Sequence, residues 1–300
     1  MEPDCIIFDP ELRIMKECTG NIFIYNQQRL PCKRFNEKYH LDSGLSIYEV
    51  LRVEDGVPAF PDYHISRLFN SLKLEKIKIV KDKNNLIKNI FEIIKENKLR
   101  RGRIKIILQF PDFPESFNFN ELYYQTTNTF PPAEYYQKGV KTILCNVVRD
   151  LPNVKIVNTE ARNQANKKIK ETGAYEAILL NPKGYLTEGS RSNLFFIKNK
   201  QLFTPHDENV LQGIARKNVT EICREKNLDL VIKNIHYTEL TEFDASFLTG
   251  TSPKILPVNQ INDLQYDVQN KLMRKLMEAY DKKLKKNLSI IKKNYSNMML

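Results

Sequence analysis

The stretch Tyr185-Leu186-Thr187-Glu188-Gly189-Ser190-Arg191-Ser192-Asn193-Leu194-Phe195-Phe196 sets one carboxylate, Glu188, between a strand-like run and a Gly-Ser turn, with an apolar strand leaving the turn. Upstream of it, Ala174 to Leu180 reads as a buried strand ended by Asn181-Pro182-Lys183-Gly184, and Glu160 to Glu171 reads as a helix. Val140 to Val148 is strand-like. Downstream, Leu194 to Ile197 and Leu202 to Phe203 read as a hairpin around Lys198-Asn199-Lys200-Gln201. Gly213 then opens a helix that turns Ile214, Val219, Ile222 and Cys223 inward. Ser246 to Thr249 is expected as the last strand, running into Gly250-Thr251-Ser252-Pro253. Strands alternating with helices predict a mixed α/β (α+β) protein.

The N-terminal half repeats the alternation. Asn21 to Tyr25 and Ser46 to Val53 are strand-like, and Glu54-Asp55-Gly56 turns the second into Val57 to Phe60. Asp62 is expected to cap a helix whose apolar stripe is Ile65, Leu68, Phe69 and Leu72. A second helix is marked by Leu86, Ile87, Ile90, Phe91 and Ile94, and Arg103 to Phe110 returns as a strand. Between about Pro111 and Lys138 the prolines and an Asn/Thr-rich run read as turn and linker. The boundary is placed there, giving a smaller N-terminal α/β domain over 1–130 and a larger domain over 131–300.

Composition excludes several classes. With 41% hydrophobic residues, 16 Phe and 14 Tyr, a chain of 300 residues fills a core. No apolar run approaches the roughly 20 residues that cross a bilayer, and Glu2, Asp4, Asp9 and Glu11 stand where a signal peptide would be basic, so a cytoplasmic protein is expected. The 5 cysteines, Cys5, Cys18, Cys32, Cys145 and Cys223, are scattered without C-x-x-C spacing and read as reduced thiols, with neither a disulfide framework nor a metal site. The net charge of +11 comes largely from lysines between Lys271 and Lys293, interleaved with Leu272, Leu276, Tyr280 and Leu284 at helical spacing. That is an amphipathic helix with a solvated face, and no nucleic-acid or membrane partner is expected.

Chemistry rests on a few groups read together. Lys155 sits in the apolar Val154-Lys155-Ile156-Val157-Asn158, where desolvation lowers an ammonium pKa and frees the amine. Taken singly it reads as a surface charge, and Glu188 as a turn carboxylate. Jointly, an amine able to form a Schiff base and an acid able to keep a pyridine nitrogen protonated are the minimal equipment for using pyridoxal phosphate. Gly213-Ile214-Ala215-Arg216 at a helix start offers backbone N–H groups to a phosphate, and Thr251 offers a hydroxyl.

The residues from Ser46 to about Val258 resemble the class IV (fold type IV) aminotransferases, which include branched-chain aminotransferase, D-amino-acid aminotransferase and aminodeoxychorismate lyase. The resemblance lies in Tyr48-Glu49-Val50-Leu51-Arg52-Val53, His64-Ile65-Ser66-Arg67-Leu68, Lys155-Ile156-Val157-Asn158, Gly173-Ala174-Tyr175-Glu176-Ala177-Ile178-Leu179-Leu180, Thr187 to Asn193, Leu211-Gln212-Gly213-Ile214-Ala215-Arg216 and Thr249-Gly250-Thr251-Ser252-Pro253-Lys254-Ile255, in the family's order.

The resemblance implies a two-domain fold with pyridoxal 5'-phosphate between the domains, and a homodimer. It implies Lys155 as the residue that holds the cofactor covalently and moves the substrate proton. Glu188 would pair with the pyridine nitrogen, Arg67 and Thr251 would bind the phosphate with the amides of Ile214 and Ala215, and Leu211 would pack on the ring. Tyr48, Thr159 and Ser252 would line the substrate side, and His64 would be structural. The implied reaction is ping-pong transamination between a small amino acid and a 2-oxo acid, most like the branched-chain enzymes. Pyruvate elimination from aminodeoxychorismate on the same scaffold is the alternative, with D-amino-acid transamination and a non-catalytic basic binding protein as further readings. Thr159 stands where branched-chain enzymes carry tyrosine. Leu108-Gln109-Phe110-Pro111 lacks the arginine and histidine with which D-amino-acid enzymes hold the substrate carboxylate.

Overall fold

The computed structural model describes residues 17–36, 39, 44–157 and 160–299. The described residues up to 128 and from 288 onward form one compact unit and those between 129 and 287 another, so the C-terminal end of the described chain clusters with the first unit.

The first unit is built on an antiparallel sheet of β1 (Cys18–Tyr25), β2 (Gln28–Pro31), β3 (Leu45–Glu54), β4 (Val57–Pro58), β5 (Arg101–Phe110) and β6 (Asn120–Thr126), in the order β2-β1-β6-β5-β3-β4. Helices α1 (Pro61–Leu74) and α2 (Lys83–Glu96) pack against it, α1 on β3 and α2 on β1 and β6. The expected linker contains a central strand, β6. Its flanks are polar, but Leu122, Tyr123 and Tyr124 are fully buried, and a strand covered on both faces shows no alternation for a pattern reading to detect. Asp62 does not cap α1. Phe60 takes the cap position in a left-handed conformation, φ 51°, with Pro61 opening the helix and Asp62 inside its first turn.

The second unit is centred on a mixed sheet in the order β12-β11-β10-β13-β14-β7-β8-β9. These strands are β7 (Val140–Asn146), β8 (Glu176–Leu180), β9 (Leu186–Gly189), β10 (Asn193–Lys198), β11 (Gln201–Thr204), β12 (Leu230–Ile232), β13 (Ala245–Gly250) and β14 (Lys254–Ile261). The short β15 (Leu264–Gln265) pairs with β14, so Ser246 to Thr249 is not the last strand. After α3 (Ala133–Lys138), helix α4 (Glu160–Thr172) makes the crossover between the parallel strands β7 and β8. The β10–β11 hairpin turns through Asn199 and Lys200, both at positive φ (49° and 68°), the backbone a tight two-residue hairpin demands.

Helix α5 (Ile214–Glu225) lays Ala215, Val219, Ile222 and Cys223 into a cluster with Phe195, Phe247 and Ile255. The long α6 (Lys271–Asn294) is capped by Asn270, whose Oδ1 accepts from the amides of Leu272 (3.1 Å) and Met273 (3.2 Å). Its Met273, Leu276, Tyr280, Leu284 and Ile291 are buried while its lysine face is solvated, and α7 (Ser296–Met299) follows. No helix among the described residues is long and apolar enough to cross a membrane.

Candidate active site

The four residues of β9 are all buried, and β9 ends in the turn that carries Glu188 into β10. Glu188 is 3% exposed. Its Oε1 accepts from Arg149 Nη1 at 2.6 Å, and its Oε2 accepts from the Leu211 amide at 3.0 Å and from Asn193 Nδ2 at 3.3 Å. Burial pushes this carboxyl above its ordinary range, while Arg149, the Leu211 amide and the charge of Lys155 pull in the opposite direction. The structure thus brings the two residues singled out first, Lys155 and Glu188, within electrostatic reach. An ionised carboxylate offers about four lone-pair positions. Three donors are already in place, so one further N–H fits.

The turn is itself held by a second buried carboxylate. Glu176 on β8 accepts from Ser190 Oγ (2.5 Å), Ser192 Oγ (3.1 Å), the Arg191 amide (3.3 Å) and the Ala177 amide (3.0 Å). Gly189 is needed there because a Cβ would meet Ser192 Oγ at 2.2 Å. Three of these bonds reach residues 190–192 and fix the turn, and therefore both of its neighbours, Glu188 and Asn193.

Asn193 joins the carboxylate to the helix start. Its Nδ2 also donates to the Leu211 carbonyl at 2.8 Å, and a Cβ on Gly213 would come 2.0 Å from its Oδ1, so only glycine lets the chain pass. Gly213 is the cap of α5 and provides no side-chain acceptor, and the amides of Ile214 and Ala215 open the helix without intrahelical partners. Arg216 is directed elsewhere, its Nη1 2.5 Å from Asp207 Oδ1 and its Nη2 donating to the Pro205 carbonyl at 3.0 Å. On β13, Thr249 stands opposite Asn193 in register, and its buried hydroxyl has no hydrogen-bond partner among the described residues. The strand ends at Gly250, and half-buried Thr251 and Ser252 form the following turn.

These groups fit a phosphate-bearing heteroaromatic cofactor. The carboxylate has acceptor capacity for a ring N–H, the helix start presents amides and a positive dipole end, and Thr249 is a buried hydroxyl awaiting a partner. Among the described residues, no cluster of three His, Cys, Asp or Glu suited to a metal occurs.

The remaining anticipated residues lie elsewhere or are not described. Thr159 falls outside the described residues. Tyr48, on β3, and Arg67, on α1, belong to the first unit. Arg67 donates from Nε and Nη2 to Glu49, both at 2.7 Å, and His64 Nδ1 lies 2.7 Å from the same carboxylate, which makes His64 part of a buried ionic lock. Lys105 Nζ lies 5.5 Å from the centre of the Tyr48 ring. Sequence reading missed Arg149, Thr249 and the role of Glu176. Arg149 and Glu176 have partners distant along the chain, and the available signal was chemical: a buried-strand glutamate in Tyr175-Glu176-Ala177 has to be paired with something.

Comparison with known proteins agrees with this geometry. The family Amino-transferase class IV matches residues 46–261. The D-alanine aminotransferase of Bacillus licheniformis is 30% identical over 242 residues, covering 78% of this chain and 85% of that protein. The probable branched-chain-amino-acid aminotransferase of Thermotoga maritima is 32% identical over 225 residues, covering 73% and 78%. The crystal structure of the Escherichia coli branched-chain amino acid aminotransferase matches 89% of this chain and 95% of its own with a TM-score of 0.78 at 19% identity, which shows a shared fold. With a buried acid that feels the charge of Lys155, a helix start whose preceding residue Leu211 bonds to that acid, and a family match over residues 46–261, this chain belongs to the class IV aminotransferases.

Proposed function

We propose that the protein is a pyridoxal-5'-phosphate-dependent transaminase of small amino acids, closest in substrate range to the branched-chain enzymes. The observation that carries the reading is the buried Glu188, which has room for one more donor and lies within electrostatic reach of Lys155. When bound, the cofactor supplies an electron sink for the carbanion formed at the substrate α-carbon. The chain supplies the rest. Lys155 Nζ would anchor the cofactor and, once released, would remove the α-carbon proton of the amino donor in the first half-reaction and deliver one to the α-carbon of the 2-oxo acid in the second. Glu188 keeps a ring-nitrogen proton in place, while Arg149 and Asn193 hold Glu188. The amides of Ile214 and Ala215, with Thr251 and Arg67, are assigned to the phosphate, Leu211 to the ring face, and Tyr48, Thr159 and Ser252 to the substrate side.

The branched-chain preference is supported by the relatives so named and by the end of β5, where Leu108, Gln109 and Phe110 are all buried and Gln109 Nε2 donates to the Tyr39 carbonyl at 2.7 Å. No arginine or histidine stands there for the carboxylate of a D-amino acid. The similarity to a D-alanine enzyme therefore supports the shared chemistry more than the shared substrate. A homodimer is part of the same proposal.

A panel of amino donors with and without 2-oxo acids tests the reading. Turnover of branched-chain L-amino acids that stops after one equivalent without an acceptor is the expected result. Sustained pyruvate release without an acceptor would instead establish elimination. Sedimentation as a monomer would remove the dimer.

A further inference from the structure

Cysteines Cys145 and Cys223 behave as buried apolar residues. Cys145 packs with Ala165, Ala177 and Leu179, Cys223 packs with Val219 and Tyr280, and burial pushes the Cys223 thiol up to about 11. Cys18 and Cys32, in the first unit, differ. Their sulfur atoms lie 2.9 Å apart, closer than two unbonded sulfurs outside a hydrogen bond, and Cys32 Sγ also lies 3.4 Å from the Thr19 carbonyl oxygen.

The ribbon is shaped to make this contact. In the β1–β2 register Ile22 faces Pro31, so a regular ribbon would set Asn21, not Cys18, opposite Cys32. An irregularity between Thr19 and Phe23, with Gly20 at φ 93°, curls the start of β1, and the single 3-10 turn Cys32–Arg34 takes Cys32 off the line of β2. Closing a disulfide needs the sulfurs to approach by roughly 0.9 Å more.

We propose that Cys18 and Cys32 form an oxidation-sensitive dithiol that reacts with low-molecular-weight disulfides of the glutathione class and closes a covalent bridge across the β1–β2 ribbon. Cys32 is the attacking thiol. It is half-buried, is flanked by the exposed cations Lys33 and Arg34, which favour an anionic disulfide, and is held below its ordinary range by the hydrogen bond from Cys18, against the effect of burial. Cys18 is buried, and its bond to Cys32 together with burial pushes it well above the usual thiol range, which suits it to act second.

The Cys32 thiolate attacks one sulfur of the small disulfide, forming a mixed disulfide and expelling one thiolate. Cys18 then gives up its proton and attacks the Cys32 sulfur, expelling the second thiolate. The protein dithiol loses two electrons and two protons, and one small disulfide becomes two thiols. The product ties the beginning of β1 to the end of β2 and removes loop-closure freedom from that edge of the sheet.

The test uses the full chain equilibrated with mixtures of reduced and oxidised glutathione, acid-quenched, alkylated and mapped by mass spectrometry. The expected result is loss of two alkylatable thiols, a Cys18–Cys32 linked peptide in the mixtures richer in oxidised glutathione, and slower amide exchange over residues 19–31 in the oxidised form. Cys18→Ser is expected to trap glutathione on Cys32, and Cys32→Ser to leave Cys18 unmodified. Persistence of both thiols in oxidised glutathione alone, or a bridge from Cys32 to Cys5 or to a second chain in place of Cys18, would overturn the proposal. The wild-type map decides even if a variant does not fold.

Discussion

Glu49 in the first unit and Glu188 in the second are both buried glutamates paired with an arginine, yet their carboxyl groups are driven in opposite directions. Burial raises Glu49, but the charge and hydrogen bonds of Arg67, with His64 added, outweigh it and hold the group at about 2. Burial also raises Glu188, and there Arg149, one backbone amide and the charge of Lys155 do not offset it. Arg67 grips Glu49 with two bonds of 2.7 Å, whereas Arg149 donates to Glu188 from Nη1 at 2.6 Å and sends Nη2 to the Val154 carbonyl at 3.2 Å. Each carboxylate has three hydrogen-bonding contacts, but where the paired charges outweigh burial, as at Glu49, the group is a structural lock. Where burial outweighs them, as at Glu188, a further positive donor is favoured.

The largest effect that sharpens this contrast is catalytic. Glu188→Ala is expected to lower kcat by roughly 10³-fold while costing less in urea unfolding than the Glu49 variant, because the burial penalty of Glu188 is relieved, and an equal loss of stability would break the distinction. Next comes Glu49→Ala, which removes the carboxylate that buried Arg67 and His64 share and should cost about 3 kcal/mol or more in urea unfolding. Acid titration separates the two by sign. Glu49 contributes stability above the ordinary carboxylate value of 4.5, and that contribution, roughly 3 kcal/mol at most, is lost as the pH falls from 4.5 to about 2. Glu188, whose folded form holds its proton more tightly than the unfolded chain does, subtracts stability above its raised value and returns it as the pH falls toward 4.5. Urea midpoints of Glu49→Gln followed from pH 4.5 down to about 2, and of Glu188→Gln followed above pH 4.5, should therefore lose slopes of opposite sign. The smallest effect belongs to Glu176→Gln, which weakens the clamp on residues 189–192 and should cost about 1–2 kcal/mol together with cofactor affinity, measured by fluorescence quenching.

The same contrast explains what was legible beforehand. Lys155, Glu188 and the Gly213 helix start are encoded locally, by a lysine in an apolar run, an acid in a turn and a glycine before a periodic stripe, so sequence alone could propose them together. Arg149 reaches Glu188 from a different segment, and Glu176 grips a turn beyond the next strand. Such partners are chosen by sheet order, with β8 beside β9, and no pattern within a short window states that order. The strand β6 was hidden for a related reason: Leu122, Tyr123 and Tyr124 are buried on both faces and bracketed by residues that favour turns. The Asp62 cap failed because Pro61 sets the first helical φ and moves the boundary back to Phe60.

Reaction of the purified protein with pyridoxal 5'-phosphate, reduction with borohydride and peptide mapping tests the central claim most directly. A single phosphopyridoxyl group on the peptide carrying Lys155, absent from Lys155→Ala and weakened in Glu188→Ala, is the predicted result. Label spread over the exposed lysines of α6, or retained at one other lysine when Lys155 is replaced, would contradict it.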